Sequence, residues 1–128
     1  MTIVLDSNGL TMLASNRARL DELRRRGEWP AVLPSVVLVE ALTGDPQRDY
    51  HENRVLRTCD IRPVDELLAR GAGYLRSKSG LPRVPSAVDA VVVALADLIG
   101  GATVLSSDLG DLRALARHTS NEVTIAHA

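Results

Sequence analysis

The sequence predicts an α/β fold: a short, mainly parallel central sheet flanked by helices in three layers. Three observations carry this. Short apolar runs without polar alternation, such as Ile3-Val4-Leu5 and Ala31-Val32-Leu33, read as strands covered on both faces. Stretches of helical periodicity with capping residues separate them. Strand and helix then alternate along the chain, the pattern of βαβ units. At 128 residues there is room for one domain spanning 1–128. Folding at that size buries roughly 68% of the unfolded surface, so a core forms without disulfide staples.

The elements follow in order. Ile3-Val4-Leu5 is a strand ending at Asp6, and Ser7-Asn8 starts a helix. Arg17 to Arg26 is a second helix with Leu20 and Leu23 inward and Gly27 as its stop. Ala31 to Leu33 is a strand; Pro34-Ser35 then opens a helix through Leu42, with Ser35 as N-cap. Gln47 to Cys59 reads as helical, and Ile61 to Val64 as a brief edge strand. Asp65 caps a helix reaching about Ser79, which Gly80-Leu81-Pro82 breaks. Ser86 begins the most hydrophobic helix, ending near Gly100-Gly101. Ala102 to Leu105 is a strand, Asp108 to His118 a helix, and Val123 to Ile125 a last strand.

Composition excludes several classes. Hydrophobic residues make up 45% of the chain and the net charge is −1, so neither disorder nor a whole-molecule cationic field is expected. Fourteen of the fifteen basic residues are Arg, a bias that codon composition also produces. Only Trp29, Tyr50 and Tyr74 are aromatic, too few for a base-stacking surface of the RNA-binding sheet type. The single cysteine, Cys59, excludes an internal disulfide and any Cys-based zinc site, and reads as core. The longest apolar run, Ala90 to Ala96, is far short of a membrane span, and no signal peptide is visible. A cytoplasmic protein with no membrane partner is the expectation.

Chemistry points to acids. Asp6 and Asp108 each follow a strand, and ligands of parallel sheets bind at the C-terminal ends of strands. Glu40, in Val36-Val37-Leu38-Val39-Glu40, and Asp89, in Ser86-Ala87-Val88-Asp89, fall in first turns of helices, where the dipole favours an anion. All four could therefore share one crevice, with Asp111 nearby. Taken singly, each has an ordinary reading. Ser86-x-x-Asp89 is a capping-box pattern, Asp108 an N-cap with Asp111 in support, and Asp6 a turn residue. Glu40 is harder to dismiss, because its neighbours are apolar. Carboxylates gathered in one crevice repel, and a hard divalent cation such as Mg²⁺ relieves that strain.

These residues also carry a family resemblance. Asp6-Ser7-Asn8, Glu40-Ala41-Leu42, Asp89-Ala90 and Ser106-x-Asp108-x-x-Asp111-Leu112, in that order and spacing, resemble a PIN domain of the VapC type, the toxin of bacterial toxin–antitoxin pairs. Ala69 to Leu75 resembles the helix ahead of the third acid, and the likeness runs over residues 2 to 126. Gly9, where an apolar residue is usual, and Leu112, where an aromatic is common, depart from the pattern. The resemblance implies a metal-dependent endoribonuclease with Asp6, Glu40, Asp89 and Asp108 as catalytic acids. Asp6, Asp89 and Asp108 would hold Mg²⁺ or Mn²⁺, and Asp111, Ser106 and Asn8 would be auxiliary. Apart from the resemblance, Arg83 is the RNA-facing candidate by its place in the loop before Asp89. A VapB-type antitoxin and a second copy of the chain are the implied partners.

Other signals are poorer. Arg24-Arg25-Arg26 reads as a solvated helix end, and His51, His118 and His127 as surface residues without partner spacing. Asp97 shares a helix face with Asp89 but lies roughly 12 Å along it. A phosphoryl-transfer domain built on Asp6 would want a second acid beside it, which Ser7-Asn8 does not supply. A non-catalytic binding module that kept the fold is the alternative reading, and the presence of all four acids counts against it.

Overall fold

A computed structural model describes residues 1–128. Its strands are β1 (Ile3–Leu5), β2 (Val32–Pro34), β3 (Asp60–Arg62), β4 (Ala102–Ser106) and β5 (Val123–His127). Its helices are α1 (Ser7–Ala14), α2 (Arg17–Arg25), α3 (Val37–Ala41), α4 (Tyr50–Leu56), α5 (Glu66–Lys78), α6 (Ala87–Leu98) and α7 (Gly110–Ala116). The sheet runs β3-β2-β1-β4-β5 and every pairing is parallel, so the sheet is wholly rather than mainly so.

That order fixes the layers. From β1 the chain steps outward through β2 to β3, then crosses back to β4 on the other side of β1. Crossovers of parallel strands are right-handed, so reversing the direction of travel moves the connecting helices to the opposite face. Hence α1 to α4 cover one face, while α5, α6 and α7 cover the other. The contacts agree: α1 touches β1 and β4 and gathers α2, α3 and α4, whereas α6 packs on four of the strands between α5 and α7. Ile3, Val4 and Leu5 are all buried, as a strand sandwiched between two helical layers must be. The core is aliphatic, with Leu10, Leu13, Leu33, Leu95, Leu105 and Leu115 among its largest members.

Local differences from the sequence reading have physical reasons. Ser35 does not cap α3: Pro34 is taken into β2 opposite Arg62, and Val36 precedes the helix with no side-chain cap. Likewise Leu109, not Asp108, precedes α7, again uncapped by a side chain. The helix expected over 47–59 shrinks to Tyr50–Leu56 because Asp49 holds the preceding turn. Its carboxylate accepts from the Thr43 N–H and hydroxyl and the Gly44 N–H, at 2.9–3.0 Å, which also lowers its pKa.

Candidate functional site

The strand order reverses between β1 and β4, the switch point at which a parallel sheet opens a crevice beyond its strand ends. Leu5 pairs with Leu105, so the next residues, Asp6 and Ser106, emerge side by side. Both are buried, at 4% and 0% exposure. The Ser106 hydroxyl donates to Asp6 Oδ2 and accepts from the Asp108 N–H at 3.1 Å. Asp6 is also the N-cap of α1, its Oδ1 accepting from the Gly9 N–H at 2.7 Å. Gly9 is required there by contact rather than by dihedral angle. A Cβ at that position would lie 2.1 Å from the Leu105 carbonyl oxygen, so glycine lets α1 close onto the end of β4.

Three further elements bring acids to the same edge. Glu40 stands in the first turn of α3, exposed, with the Ser7 hydroxyl donating to its Oε1 at 3.2 Å. Asp89 stands in the first turn of α6, where its backbone N–H donates to the Ser86 hydroxyl at 3.0 Å. Asp108 lies in the loop after β4, and Asp111 in the first turn of α7. Their fields overlap. Burial raises the pKa of Asp6, Glu40 and Asp108 raise it further, and the bonds from Ser106 and Gly9 oppose them. Burial pushes Asp89 up to about 6, with the Ser86 hydroxyl opposing and Asp6, Glu40 and Asp111 adding to it. Helix N-termini alone would lower these carboxyls; the upward direction comes from desolvation and crowding.

Asp6, Ser106, Glu40, Asp89, Asp108 and Asp111 are thus gathered at one sheet edge. Asn8 is on the same first turn of α1 but points no hydrogen bond into the group, and Arg83 sits exposed in the loop before α6 without an ion pair. Two contributors escaped the sequence reading. Ser7 was read only as a helix start, and its link to Glu40 spans 33 residues; Gly9 was read as a departure, with no hint of the close approach it permits. No three of the acidic, His or Cys side chains close into a cage around a point. The donors are all oxygens, and Mg²⁺ is held by one or two carboxylates plus waters and substrate phosphate rather than by a full protein cage. On that chemistry Asp6, Asp89 and Asp108, with Glu40 beside them, are the residues that would hold a hard divalent cation.

The rest of the chain offers no competing centre. Burial pushes the Cys59 thiol up to about 12, so it is inert at neutral pH. His51, His118 and His127 are exposed. Asp97 accepts from the Ser120 and Asn121 backbone N–H groups and ties the loop before β5 to α6. The three surface cavities contain none of Asp6, Glu40, Asp89 or Asp108; the acids lie at an open edge instead.

Comparison with known proteins identifies the fold. No family profile matches the chain, and no curated protein sequence matches it. Solved structures do match. A chain of VapBC2 from Rickettsia felis, bound to a fragment of promoter DNA, superposes with a TM-score of 0.71 at 17% identity, covering 100% of this chain and 99% of that one. DNA-bound VapBC from Salmonella typhimurium gives 0.70 at 17% identity, over 99% and 98% of the two chains. FitAcB from Neisseria gonorrhoeae gives 0.67 at 22% identity, over 95% and 96%. The fold is therefore plain: an α/β chain with the fold of these VapBC2, VapBC and FitAcB chains. The identities, all below 25%, make this a likeness of fold.

Proposed function

We propose that this chain is the toxin of a toxin–antitoxin pair and acts as a Mg²⁺- or Mn²⁺-dependent endoribonuclease. The observation that supports the reading best is the convergence of Asp6, Glu40, Asp89 and Asp108 from four separate elements on the switch point of the sheet. A structural role would not need so many buried or crowded carboxylates. Bound there, a divalent cation supplies Lewis-acid activation of water and neutralises charge on the phosphodiester. The chain's own residues do the positioning. Ser106 and the Gly9 N–H hold both oxygens of Asp6, and Ser7 orients Glu40. The Ser106 hydroxyl also fixes the backbone at Asp108. Zn²⁺ is expected to substitute poorly, because no Cys or His joins the group.

The fold likeness to VapBC and FitAcB chains supports an antitoxin partner; a second copy of the chain as companion and the cytoplasm as the place of action belong to the same proposal. No helix is long and apolar enough to cross a membrane. An antitoxin that silences this crevice would place an Arg or Lys among the carboxylates, a charge-assisted pairing that excludes the metal. The test is incubation of single-stranded RNA with the purified chain. Cleavage in Mg²⁺ that stops in EDTA and is lost in Asp6→Asn supports the reading; full cleavage in EDTA contradicts it.

A further inference from the structure

A polyanionic substrate is repelled by five carboxylates, and the chain as a whole carries −1. Binding RNA therefore requires a local cationic surface. One lies at the far end of α1. A cavity of about 280 Å³ opens between the end of α1, α2 and α4, rimmed by Arg17, Arg24, Arg54 and His51 over Leu13 and Leu20. No Asp or Glu lines it. Arg17 and Arg54 take part in no ion pair, and Arg24 meets only Asp21, at 3.9 Å. Arg54 is held over the Tyr50 ring, 5.8 Å from its centre. Arg17 is the first residue of α2, where the positive helix end disfavours a cation and no carboxylate compensates it. The other two cavities lack this character: one has Asp97 in its wall and an Arg70 already paired with Glu66, and the other holds a single Arg57.

We propose that this cavity anchors a backbone phosphate of single-stranded RNA, away from the phosphate at the acids. The proposal rests on the nuclease reading and deepens it. The eight residues of α1 separate the two places by about 12 Å. A strand lying along α1 meets Asp6 and Ser7 at one end and the guanidinium groups at the other. Planar guanidinium forks match phosphate oxygens, and the aliphatic floor accepts the face of a sugar or base. The need to hold a polyanion beside an acidic crevice favours RNA over an acidic protein segment, which would present carboxylates to the same forks.

The test is fluorescence anisotropy of a labelled twelve-nucleotide RNA in EDTA, where cleavage plays no part, across a salt series. Wild type, Arg17→Gln/Arg54→Gln and Arg17→Lys/Arg54→Lys are compared after matched melting curves. The Gln pair is expected to weaken binding at least tenfold and to reduce the slope of log K against log salt by about 0.7, the value for one phosphate contact on a single strand. The Lys pair should keep the slope and lose only part of the affinity. Equal affinity and slope in the Gln pair, or no binding by wild type at low salt, overturns the proposal. So does a Glu-rich peptide whose binding depends on Arg17 and Arg54 while RNA binding does not; that result assigns the cavity to a protein. The two readings fail separately. RNA that binds through the arginines yet is never cut in Mg²⁺ removes the nuclease and keeps the anchor. Cleavage with RNA binding indifferent to both arginines removes the anchor alone.

Discussion

Ser106 and Asp6 stand 100 residues apart in the chain and meet through one buried hydrogen bond where β4 and β1 end. The hydroxyl is doubly used, accepting from the Asp108 N–H while it donates to Asp6. Ser106→Ala leaves a buried carboxyl with one partner fewer among like charges. We expect a loss of about 1–3 kcal/mol in metal-free urea unfolding, the cost of an unsatisfied buried polar group. Unchanged stability would mean that Asp6 is held by Gly9 alone.

Two glycine substitutions make a matched pair. In an open helix position Gly→Ala gains about 0.5–1 kcal/mol, because glycine loses more backbone freedom on folding. Gly73, in α5, meets nothing within 4 Å of an added Cβ and should show that gain. Gly9 should show the opposite sign, since its Cβ would lie 2.1 Å from the Leu105 oxygen. Backbone cannot swing aside as a side chain does, so a loss of about 2 kcal/mol or more follows from overpacking. Urea midpoints of the two variants decide it; stabilisation at both sites would mean that α1 does not rest on β4.

Metal-free stability should fall as pH rises through the acid range. The folded pKa of Asp89, about 6, lies above its ordinary 3.8, and Asp6 is raised too. Between those values the folded state binds the extra proton, so the contribution is full below about pH 4 and is lost by about pH 6 to 7. For a partly exposed group, solvent screening leaves about 1 kcal/mol of this. Unfolding in EDTA from pH 4.5 to 7.5 should show the decline, and Asp89→Asn should flatten it. A rise with pH over that range in wild type would contradict the crowding of these carboxyls.

Much of the fold was legible because its strands are buried on both faces and therefore read as unbroken apolar runs. The acids were legible for a related reason: parallel strands deliver their next residue to one edge, so Asp6 and Asp108 announced themselves. What the sequence hid were contacts between distant segments. Nothing in Ser7 foretells Glu40, and Gly9 looks like a flaw until Leu105 is placed against it. Asp49 has no motif either. Its grip on Thr43 and Gly44 is a turn made by one side chain, and it shortened the helix read from periodicity. Ser35 misled because a good capping residue is worth about 1 kcal/mol, which strand pairing at Pro34 overrides.

The most direct test of the acidic crevice as a cation site is the melting temperature of wild type and Asp89→Asn, each in EDTA and in Mg²⁺, at pH 7.5. Asp89 is then ionised beside Asp6, Glu40 and Asp111, and the change to Asn removes one charge from a crowded group. Asp89→Asn is expected to melt at or above wild type in EDTA, and Mg²⁺ to raise wild type while raising the variant far less. A variant that melts below wild type in EDTA and gains equally from Mg²⁺ would return Asp89 to a helix-capping role and contradict the shared site.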